Sequence, residues 1–598
     1  MFDIIRVAAA SPDLQIADPF SNGRKLGEIY RSAAASNASL VLFPSFAITG
    51  RSCGKLFSQA YLLESARQAA EDFAARTGEI PAVFGMPELV NGKLLECAVI
   101  AQNGRICAHT VRMTPDLPDF SGWLPDLPDY YPAGQVFTDG KVRFSVSFAG
   151  DRPEAAGAQI ELFCGAEPEI PGAWAKRENI FTAVSAMDDC AVAAAFSGSG
   201  ETTGDNLYGG SLLICDRGRC TAARRSPVRG GGVIYSDIDL EKISAAQLGK
   251  TAPDKKMVKL SALPEAPDFK YLCNPQHPFL PQDAAMLADF CRESFAIQTI
   301  GLGERIKRCG AKKMVIGISG GLDSTLALVV MAMVCREYDL PPETILAITM
   351  PGFGTTGRTK NNALRLAEII GAEIREIPIA QACLQHFSDI GHDPENTGSV
   401  YENSQARERT QILMDVANAV NGIVIGTGDL SEIALGWSTF NGDQMAMYAV
   451  NSAIPKSNIA AMLNYAADQF PGAAEILQDV IDTPVSPELL PLDENGEIVQ
   501  KTEAILGAYE LHDFYLWHLF AGTSAPEKLL ALAIDAFGEK YQETELRRVR
   551  DLFIKRFFTQ QFKRTAGPDG IQAGAVSLSC RTTWQMPSDV NGTLWYRK

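Results

Sequence analysis

The stretch "VIGISGGLDST" (residues 315–325) decides the fold of the second half of the chain. An apolar strand pattern runs into a turn with two adjacent glycines, and a helix begins near Ser324. Glycines let backbone N–H groups approach phosphate oxygens closely, and a helix N-terminus favours an anion. The hydroxyl of Ser319 can donate to a phosphate, and Asp323 can hold Mg²⁺, which neutralises phosphate charge. The stretch therefore predicts a phosphate-binding turn between a strand and a helix.

The segments around this turn repeat the strand–helix alternation. Apolar strand patterns occur in "KKMVIGIS" (312–319), "TILAITMPG" (344–352), "AEIREIPI" (372–379) and "NGIVIGTGD" (421–429), with helical patterns between them. Such alternation indicates a doubly wound parallel sheet. The Walker pattern GxxxxGK[ST] does not occur, and the turn is therefore not a P-loop of that kind.

The first half of the chain alternates short strand patterns with helical ones up to about residue 240. Asn103-Gly104 marks the turn of a predicted hairpin. Residues 248–283 are rich in proline and show little periodicity, and we place the domain linker there. We therefore predict an N-terminal domain at 1–247 and a C-terminal domain at 284–598.

Composition argues against several classes of protein. The 598 residues carry a formal net charge of −17, whereas a nucleic-acid binder needs a basic surface. The 13 cysteines are scattered and no CxxC occurs, so we expect no zinc site and a reducing compartment. The N-terminus lacks a signal-peptide pattern, and the longest apolar run (326–335) is too short to span a bilayer. We expect a cytoplasmic protein without a membrane or nucleic-acid partner.

Several separated motifs identify a family. "SGGLDS" resembles the pyrophosphatase loop of ligases that adenylate a substrate with ATP and release pyrophosphate. With it occur "YENSQARERT" (401–410), "GTGDLSEIALGWST" (426–439), "NGDQMAMYAVNSAIPKS" (441–457) and "QQFKRTAGP" (560–568). Together they resemble the long, glutamine-dependent bacterial NAD synthetases over nearly the whole chain. The resemblance implies an α/β protein: a nitrilase-like α-β-β-α sandwich followed by a doubly wound ATP-pyrophosphatase (adenine nucleotide alpha hydrolase-like) domain.

The resemblance assigns roles to residues of the C-terminal domain. It implies that ATP is bound by Gly317, Ser319, Gly320, Gly321, Asp323, Ser324 and Thr427. It implies that Mg²⁺ is held by Asp323 and Glu432. It implies that deamido-NAD is bound by Asn403, Leu435, Gly436, Trp437, Ser438 and Lys563. Arg358 and Lys360 are expected on a loop over the phosphates.

The reaction implied is that of an AMP-forming carbon–nitrogen ligase. The nicotinate carboxylate of deamido-NAD attacks the α-phosphate of ATP, and pyrophosphate leaves. Ammonia then attacks the acyl-adenylate and displaces AMP. Mg²⁺ and the N–H groups of the turn neutralise the charge that develops on pyrophosphate, so little acid–base chemistry is required of side chains.

In the family, the nitrilase-like domain supplies ammonia from glutamine with a Cys nucleophile, a Glu base and a Lys. The Glu position, in "LVLFPSFAITGRSCGKLF" (40–57), is Ser45 here. The Lys position is Thr114, and the nucleophile position in "FSVSFAGD" (144–151) is Ala149. None of the three side chains provides a nucleophile, a positive charge or useful basicity near neutral pH. We therefore predict that the amidase domain has no catalytic residues.

Other positions of the glutamine pocket also differ. The Tyr, Ser and Arg that contact glutamine in the family correspond to Phe120, Glu167 and Ala173. A glutamate at position 167 would repel the substrate carboxylate. Two cysteines, Cys164 and Cys53, lie near enough in sequence to be considered as displaced nucleophiles, but a buried thiol is usually a small apolar side chain.

The sequence thus predicts a homo-oligomeric NAD synthetase that takes free ammonia, with ATP and deamido-NAD as its other substrates. Three alternatives stay open at this point. Ammonia could come from a separate glutaminase partner, or the chain could be a regulatory or scaffold pseudoenzyme. It could also be another adenylating ligase that acts on a different carboxylate or a nucleobase.

Overall fold

The computed structural model describes residues 2–115, 117–125, 127–151, 157–198, 200–204, 206–250, 257–354, 357–483, 502–523 and 525–596. The chain divides into two compact units, Met1–Cys273 (unit 1) and Asn274–Lys598 (unit 2). The boundary between them falls inside the segment predicted as a linker. Within the described residues, no helix is long and apolar enough to cross a membrane.

Unit 1 contains two sheets of seven strands each among its described residues. The strands are β1 (Ile4–Ser11), β2 (Leu40–Leu42), β3 (Ala82–Val90), β4 (Lys93–Gln102), β5 (Arg105–Val111), β6 (Tyr130–Pro132), β7 (Val136–Thr138), β8 (Arg143–Phe148), β9 (Ile160–Gly165), β10 (Ala191–Phe196), β11 (Leu212–Asp216), β12 (Arg219–Arg224), β13 (Gly232–Asp239) and β14 (Val258–Lys259). The helices are α1 (Pro19–Ala35), α2 (Ala60–Ala74), α3 (Ala173–Met187) and α4 (Leu240–Ala246). The strand orders are β13-β1-β2-β3-β4-β5-β6 and β12-β11-β10-β9-β8-β7-β14.

These elements form four layers. Side chains of both sheets, such as Val7 and Ile160, pack together in a buried core between the sheets. On its other face, the first sheet packs against α1 and α2, and the second packs against α3 through residues that include Phe181. This is the predicted α-β-β-α sandwich. The predicted hairpin joins β4 and β5, because Asn103 and Gly104 adopt the positive φ values of 53° and 77° that such a turn requires.

Part of the predicted linker belongs to unit 1. β14 pairs with β7 and extends the second sheet. The buried guanidinium of Arg6 pairs with Asp237 at 2.7 Å and also with Asp268. Residues 257–273 therefore pack on the sandwich, through contacts with residues far away in the chain that no local pattern reveals.

Unit 2 is built on a five-stranded, fully parallel sheet with the order β17-β16-β15-β18-β19. Its strands are β15 (Lys313–Gly317), β16 (Ile345–Thr349), β17 (Glu373–Glu376), β18 (Gly422–Gly426) and β19 (Tyr448–Ala449). Its helices are α5 (Ala284–Cys309), α6 (Leu322–Glu337), α7 (Gly357–Ile370), α8 (Ala380–Ile390), α9 (Ser399–Ala419), α10 (Leu430–Leu435), α11 (Lys456–Gln469), α12 (Ala474–Ile481), α13 (Thr502–Leu506), α14 (Tyr509–Phe520), α15 (Pro526–Phe537), α16 (Glu543–Thr559) and α17 (Gln561–Thr565).

The sheet of unit 2 is buried on both faces. One core cluster combines α5, α6, α11 and α12 with residues such as Ile316 of β15. A second cluster on the opposite face combines α8 and α9 with Val315 and Val424. Helices on both faces of a parallel sheet are the doubly wound fold that the strand–helix alternation predicts.

Candidate functional site

The sheet of unit 2 reverses its direction of growth between β15 and β18. The chain passes from β15 to β16 and β17 on one side, and then returns to add β18 and β19 on the other. In open α/β sheets, ligands bind beyond the carboxyl ends of the strands at such a switch point. The loops that follow β15 and β18 therefore lie side by side at the expected position of a site.

The turn after β15 has little freedom. Gly320 has a φ of 85°, and a Cβ atom at this position would lie 2.0 Å from the backbone oxygen of Thr359, so only glycine fits. The hydroxyl oxygens of Ser319 and Ser324 lie 3.2 Å apart, and Ser319 Oγ accepts from the N–H of Gly321 at 3.2 Å. The turn thus leads in a fixed conformation to the N-terminus of α6.

Three carboxylates meet between the two loops. Asp323 lies in the first turn of α6, Asp429 caps the N-terminus of α10, and Glu432 lies in the first turn of α10. Asp429 accepts from the N–H of Glu432 at 2.8 Å. One oxygen of each carboxylate lies within 4.8 Å of the others, which is close enough for one cation. We call these three residues the acidic cluster.

The ammonium of Lys456 contacts all three carboxylates. Its Nζ lies 2.7 Å from Asp323, 2.7 Å from Asp429 and 2.9 Å from Glu432, and the side chain is 4% exposed. The sequence reasoning missed this residue, although it lies within the quoted motif 441–457. It is 133 positions from Asp323, and only the fold brings the two together.

The buried position of the cluster changes its protonation. Burial raises the pKa of Glu432 to about 7, against the opposing effect of Lys456. Burial also raises the pKa of Asp429 well above its ordinary range. For Lys456, burial alone would lower the pKa, but the carboxylates outweigh it and the pKa is raised. The ammonium is therefore charged at neutral pH and offsets part of the negative charge.

The acidic cluster fits a divalent cation such as Mg²⁺. Carboxylate oxygens are ligands that Mg²⁺ prefers. Asp323 Oδ1 is buried and has no hydrogen-bond partner among the described residues, so one ligand atom is available. A buried acceptor of this kind usually has a partner, and a bound cation supplies one.

The residues predicted for deamido-NAD form a second group beside α10. Lys563 Nζ donates to the backbone oxygens of Gly436 at 2.8 Å and Ser438 at 2.6 Å. Asn403 accepts from the hydroxyl of Thr439 at 2.8 Å. The structure thus brings α9, the loop after α10 and α17 together, as the motif spacing suggested.

Leu435 and Trp437, two members of this group, differ in how far their side chains are exposed. The side chain of Leu435 is fully buried, so only its backbone is available to a ligand. Trp437 is half-buried, and the guanidinium of Arg556 lies 5.0 Å from its ring centroid. Arg556 also donates to the oxygen of Leu435 at 2.9 Å, so it holds this loop from the other side.

Arg358 and Lys360 lie in the first turn of α7, not on a loop as expected. Arg358 pairs with Asp479, and Lys360 pairs with Glu376 at 2.8 Å. Since both charges are neutralised by acidic side chains, neither is directed at the turn after β15. The loop was expected from the family resemblance, whereas the residue pattern "RTKNNALRLAEIIG" (358–371) predicts a helix, and α7 confirms that helix.

In unit 1, a single arginine joins two of the three amidase positions. Arg112 Nε donates to the oxygen of Thr114 at 3.1 Å, and Nη2 donates to the oxygen of Ala149 at 2.9 Å. Its Nη1 lies 3.2 Å from the carboxylate of Glu96, which is 1% exposed. The guanidinium and Glu96 therefore fill space next to the nucleophile position with a buried ion pair. The sequence reasoning did not single out Arg112.

Ser45 lies just after β2, fully buried. Its hydroxyl has no hydrogen-bond partner among the described residues. A Cβ atom at Gly85 of β3 would lie 2.4 Å from Ser45 Cα, so the two backbones are in close contact. The segment 43–50 was expected to be part of a strand. In the structure β2 ends at Leu42, and residues 45–49 form turns.

The residues predicted to replace those of the glutamine pocket make apolar and ionic contacts. Phe120 packs with Phe46 and Phe57, with ring centroids 5.3 to 5.6 Å apart. Glu167 lies 3.5 Å from Arg177 of α3, and Ala173 is buried at the start of that helix. Phe120, the residue predicted at the tyrosine position of the family, is thus one ring of a three-ring apolar cluster.

The two cysteines considered as displaced nucleophiles are not activated. Burial raises the pKa of the Cys53 thiol to about 12. Burial, together with the nearby Glu96, also raises the pKa of Cys164 far above its ordinary value. Because the thiolate is the nucleophile, neither cysteine is reactive near neutral pH.

A cavity of about 1310 Å³ opens beside Ala149 on the α3 side of the second sheet. Glu161 of β9 lines it and is 5% exposed. Burial, with a contribution from Asp188, raises the pKa of Glu161 from 4.5 to about 8. The folded state therefore binds this proton more tightly than the unfolded state, and stability falls as pH rises from 4.5 to about 8.

Glu161→Gln should remove this pH dependence. At pH 4.5 we expect the variant and the unmodified protein to have the same unfolding temperature for unit 1. At pH 8.5 we expect the unfolding temperature of the variant to be higher by several degrees. Differential scanning calorimetry at both pH values measures the difference. Glu28→Gln, at an exposed position on α1, is the control and should shift neither midpoint. An equal rise in the unfolding temperature of Glu161→Gln at both pH values would contradict the raised pKa of Glu161.

Comparison with known proteins identifies the family. A family model described as NAD synthase matches residues 296–564. The glutamine-dependent NAD(+) synthetase of Mycobacterium tuberculosis is 30% identical over 669 aligned positions, which cover 99% of this chain and 97% of that protein. The glutamine-dependent NAD(+) synthetase of Mycobacterium leprae is 29% identical, and the alignment again covers 99% of this chain and 97% of that protein.

Among solved structures, a glutamine-dependent NAD(+) synthetase from Cytophaga hutchinsonii matches 99% of this chain and 98% of its own, with 18% identity and a TM-score of 0.43. The family that the motifs predicted is confirmed by the sequence relatives. Because the identity reaches 30% over nearly the full length of both chains, this chain belongs to the glutamine-dependent NAD(+) synthetase family of ATP-dependent ligases.

Proposed function

We propose that this chain forms NAD from deamido-NAD and ATP, and that it uses free ammonia as the nitrogen donor. The observation that carries the synthetase part is the acidic cluster facing a glycine turn at the switch point of the parallel sheet. The relatives are described as NAD(+) synthetases, which supports the same activity here. The contacts of Arg112, Ser45 and Ala149 support the choice of nitrogen donor.

The turn after β15 would hold the phosphates of ATP. Gly317, Ser319, Gly320, Gly321 and Ser324 offer N–H and hydroxyl donors near the N-terminus of α6, where an anion is favoured. Thr427 follows β18 and lies beside the turn, because Asn451 donates to the backbone oxygens of both Asp323 and Thr427. These contacts support binding of the triphosphate between the two loops.

Asp323 and Glu432 would hold Mg²⁺ through their carboxylates, with Asp429 behind them. When bound, the ion would neutralise charge on the phosphates of ATP. The three carboxylates otherwise repel the triphosphate, so the positive charge of Lys456 is needed beside them in either case. The donor set consists of oxygens alone, which suits Mg²⁺ better than zinc.

The residues near α10 would bind and orient deamido-NAD. Lys563 fixes the backbone from Gly436 to Ser438, and Asn403 is fixed by Thr439. An oriented nicotinate carboxylate attacks the α-phosphate, pyrophosphate leaves, and ammonia then displaces AMP from the acyl-adenylate. Holding the two reactants in line accounts for much of the acceleration, because positioning replaces a bimolecular encounter.

Free ammonia is the simplest nitrogen donor for this chain. Ala149 provides no nucleophile, Thr114 no ammonium and Ser45 no base. Arg112 and the Phe46–Phe57–Phe120 cluster occupy space around these positions. The α-β-β-α sandwich of unit 1 keeps its buried core without the amidase residues. We propose that it serves as a structural part of a cytoplasmic homo-oligomer. Sedimentation velocity of the full chain measures the oligomeric state.

The assay that tests the proposal supplies purified protein with deamido-NAD, ATP and Mg²⁺, and then either ammonium or glutamine. We expect NAD with ammonium and none above background with glutamine. The Mycobacterium tuberculosis relative, described as a glutamine-dependent NAD(+) synthetase, is the positive control for glutamine. AMP and pyrophosphate should appear in equal amounts with NAD, as adenylation requires.

Each other outcome selects an alternative. NAD formation with glutamine at the rate seen with ammonium would overturn the loss of amidase activity. No NAD with either donor would favour the pseudoenzyme. Pyrophosphate release with a different carboxylate and none with deamido-NAD would identify another adenylating ligase. NAD formation that a purified glutaminase sustains from glutamine, at a free-ammonium concentration too low to sustain it alone, would support a partner.

A further inference from the structure

Asp513 lies on α14 and is 2% exposed. One of its oxygens accepts from the hydroxyl of Ser431, and the other accepts from the N–H of Ser457 at 3.1 Å. Ser431 Oγ in turn accepts from the N–H of Lys456 at 2.8 Å. The carboxylate of Asp513 therefore connects the start of α10 with the start of α11.

These two helix starts carry the charged side chains of the site. Ser431 stands next to Glu432, and Ser457 stands next to Lys456. Glu432 Oε1 and Lys456 Nζ meet at 2.9 Å. The relative position of α10 and α11 thus fixes whether the ammonium reaches the carboxylates.

We propose that Asp513 is a positioning residue for the acidic cluster, acting through Ser431 and the N-terminus of α11. It touches neither the carboxylates nor Lys456 Nζ in any described contact, but it fixes the backbone from which both side chains project. This inference rests on the proposed function only in assuming that a divalent cation occupies the cluster.

A purely structural role would be the capping of α11. The first N–H groups of a helix lack partners within it, and Pro455, the N-cap residue, makes no side-chain cap. Asp513 satisfies the N–H of Ser457 in this way. What capping does not require is the second contact to Ser431, which adds the link to α10.

Two variants separate the contacts. Asp513→Ala removes every hydrogen bond of the carboxylate, including one from the Ser457 side chain. Asp513→Asn retains an oxygen for the N–H of Ser457 but presents an amide N–H to Ser431, so the hydroxyl proton loses its acceptor. Outer-shell partners of metal ligands typically contribute about 10–100-fold in metal affinity or activity. Such partners touch the ligands, whereas Asp513 acts through Ser431 and the backbone of α11, so we expect a loss near the lower end of this range for alanine and a smaller loss for asparagine.

The readouts are Mn²⁺ affinity and steady-state kinetics. Mn²⁺ binding to the full chain is measured by electron paramagnetic resonance in the presence of α,β-methylene ATP, so that turnover is not required. We expect weaker Mn²⁺ binding and lower kcat in both variants, with KM for deamido-NAD changed less than threefold. The threefold limit is about 0.7 kcal/mol, which is small for a direct contact.

Tyr515→Phe is the matched control. It removes another buried hydrogen bond of α14, from the hydroxyl of Tyr515 to the oxygen of Leu546 at 2.9 Å. We expect a lower unfolding midpoint for this variant but unchanged Mn²⁺ affinity and kcat. If Asp513→Ala does not fold, Asp513→Asn decides the outcome.

Unchanged Mn²⁺ affinity and kcat in a folded Asp513→Asn protein would overturn the inference. Losses of Mn²⁺ affinity and kcat in Tyr515→Phe as large as those in the Asp513 variants would also overturn it. Failure of the proposed function is seen separately, in unmodified protein that forms no NAD from ammonium. Active unmodified protein with unaffected Asp513 variants would leave the proposed function intact and remove only the positioning role.

Discussion

Asp323→Ala is expected to lower kcat for NAD formation from ammonium by about a thousandfold, the scale on which loss of a charge-stabilising group affects an active site. The variant removes one of the two carboxylates that would hold the cation, including Oδ1, which has no hydrogen-bond partner among the described residues. It also removes one of three partners of the Lys456 ammonium. Kinetics at saturating ammonium and a Mg²⁺ titration measure the effect, which more Mg²⁺ should not restore.

The control for this variant is Asp569→Ala. Asp569 is an exposed carboxylate of the same unit that pairs with Arg305 and Arg581 at 2.8 and 2.9 Å. Exposed ion pairs contribute about 0–1 kcal/mol, so this change should leave kcat nearly unchanged. Turnover by Asp323→Ala within a factor of three of the unmodified protein would exclude the role of Asp323 in cation binding.

The second large effect concerns the amidase positions. The triple change Ser45→Glu/Thr114→Lys/Ala149→Cys reintroduces the residue types of the family, yet we expect no NAD formation from glutamine. A glutamate at position 45 would enter a fully buried site, and the larger side chains at positions 45 and 149 would crowd their buried surroundings. Burial of an unpaired charge and overpacking together predict a loss of about 2–4 kcal/mol in stability.

Calorimetry and a glutamate-release assay measure these two outcomes. Thr114→Lys alone is the control, because position 114 is exposed and such changes usually alter stability by about 0.5 kcal/mol or less. Glutamate release that supports NAD formation in the triple variant would show that the pocket is still shaped for glutamine. The chemistry would then depend on three side chains alone.

The local parts of the fold could be predicted from the sequence. β1, the β4–β5 hairpin and the turn after β15 each rest on a short pattern of residues whose conformational preferences agree with the fold. The parallel sheet of unit 2 follows from its strand–helix alternation. Segment ends were less predictable, as the strand expected around Ser45 illustrates, because tertiary contacts decide where a strand stops.

The site could be predicted only where its residues stand in a motif that carries chemistry. Asp323 and Glu432 do, beside a glycine turn and after a buried strand. Lys456 stands at the end of a quoted motif, but nothing in its neighbourhood, or in that of Arg112 and Asp513, distinguishes these residues from a surface charge. Their roles arise from contacts across more than 20 positions, and these contacts exist only in the folded chain.

The acidic cluster also links ligand concentration to folding. Its charged groups come from positions as far apart as 323 and 456, so the unfolded chain has no comparable site. In the free protein, one buried and two half-buried carboxylates share one ammonium, which is an unfavourable arrangement. A ligand that binds only the folded state adds about 2.7 kcal/mol at a concentration one hundred times its Kd. The resistance of unit 2 to unfolding and proteolysis would then follow the cellular supply of cation and nucleotide.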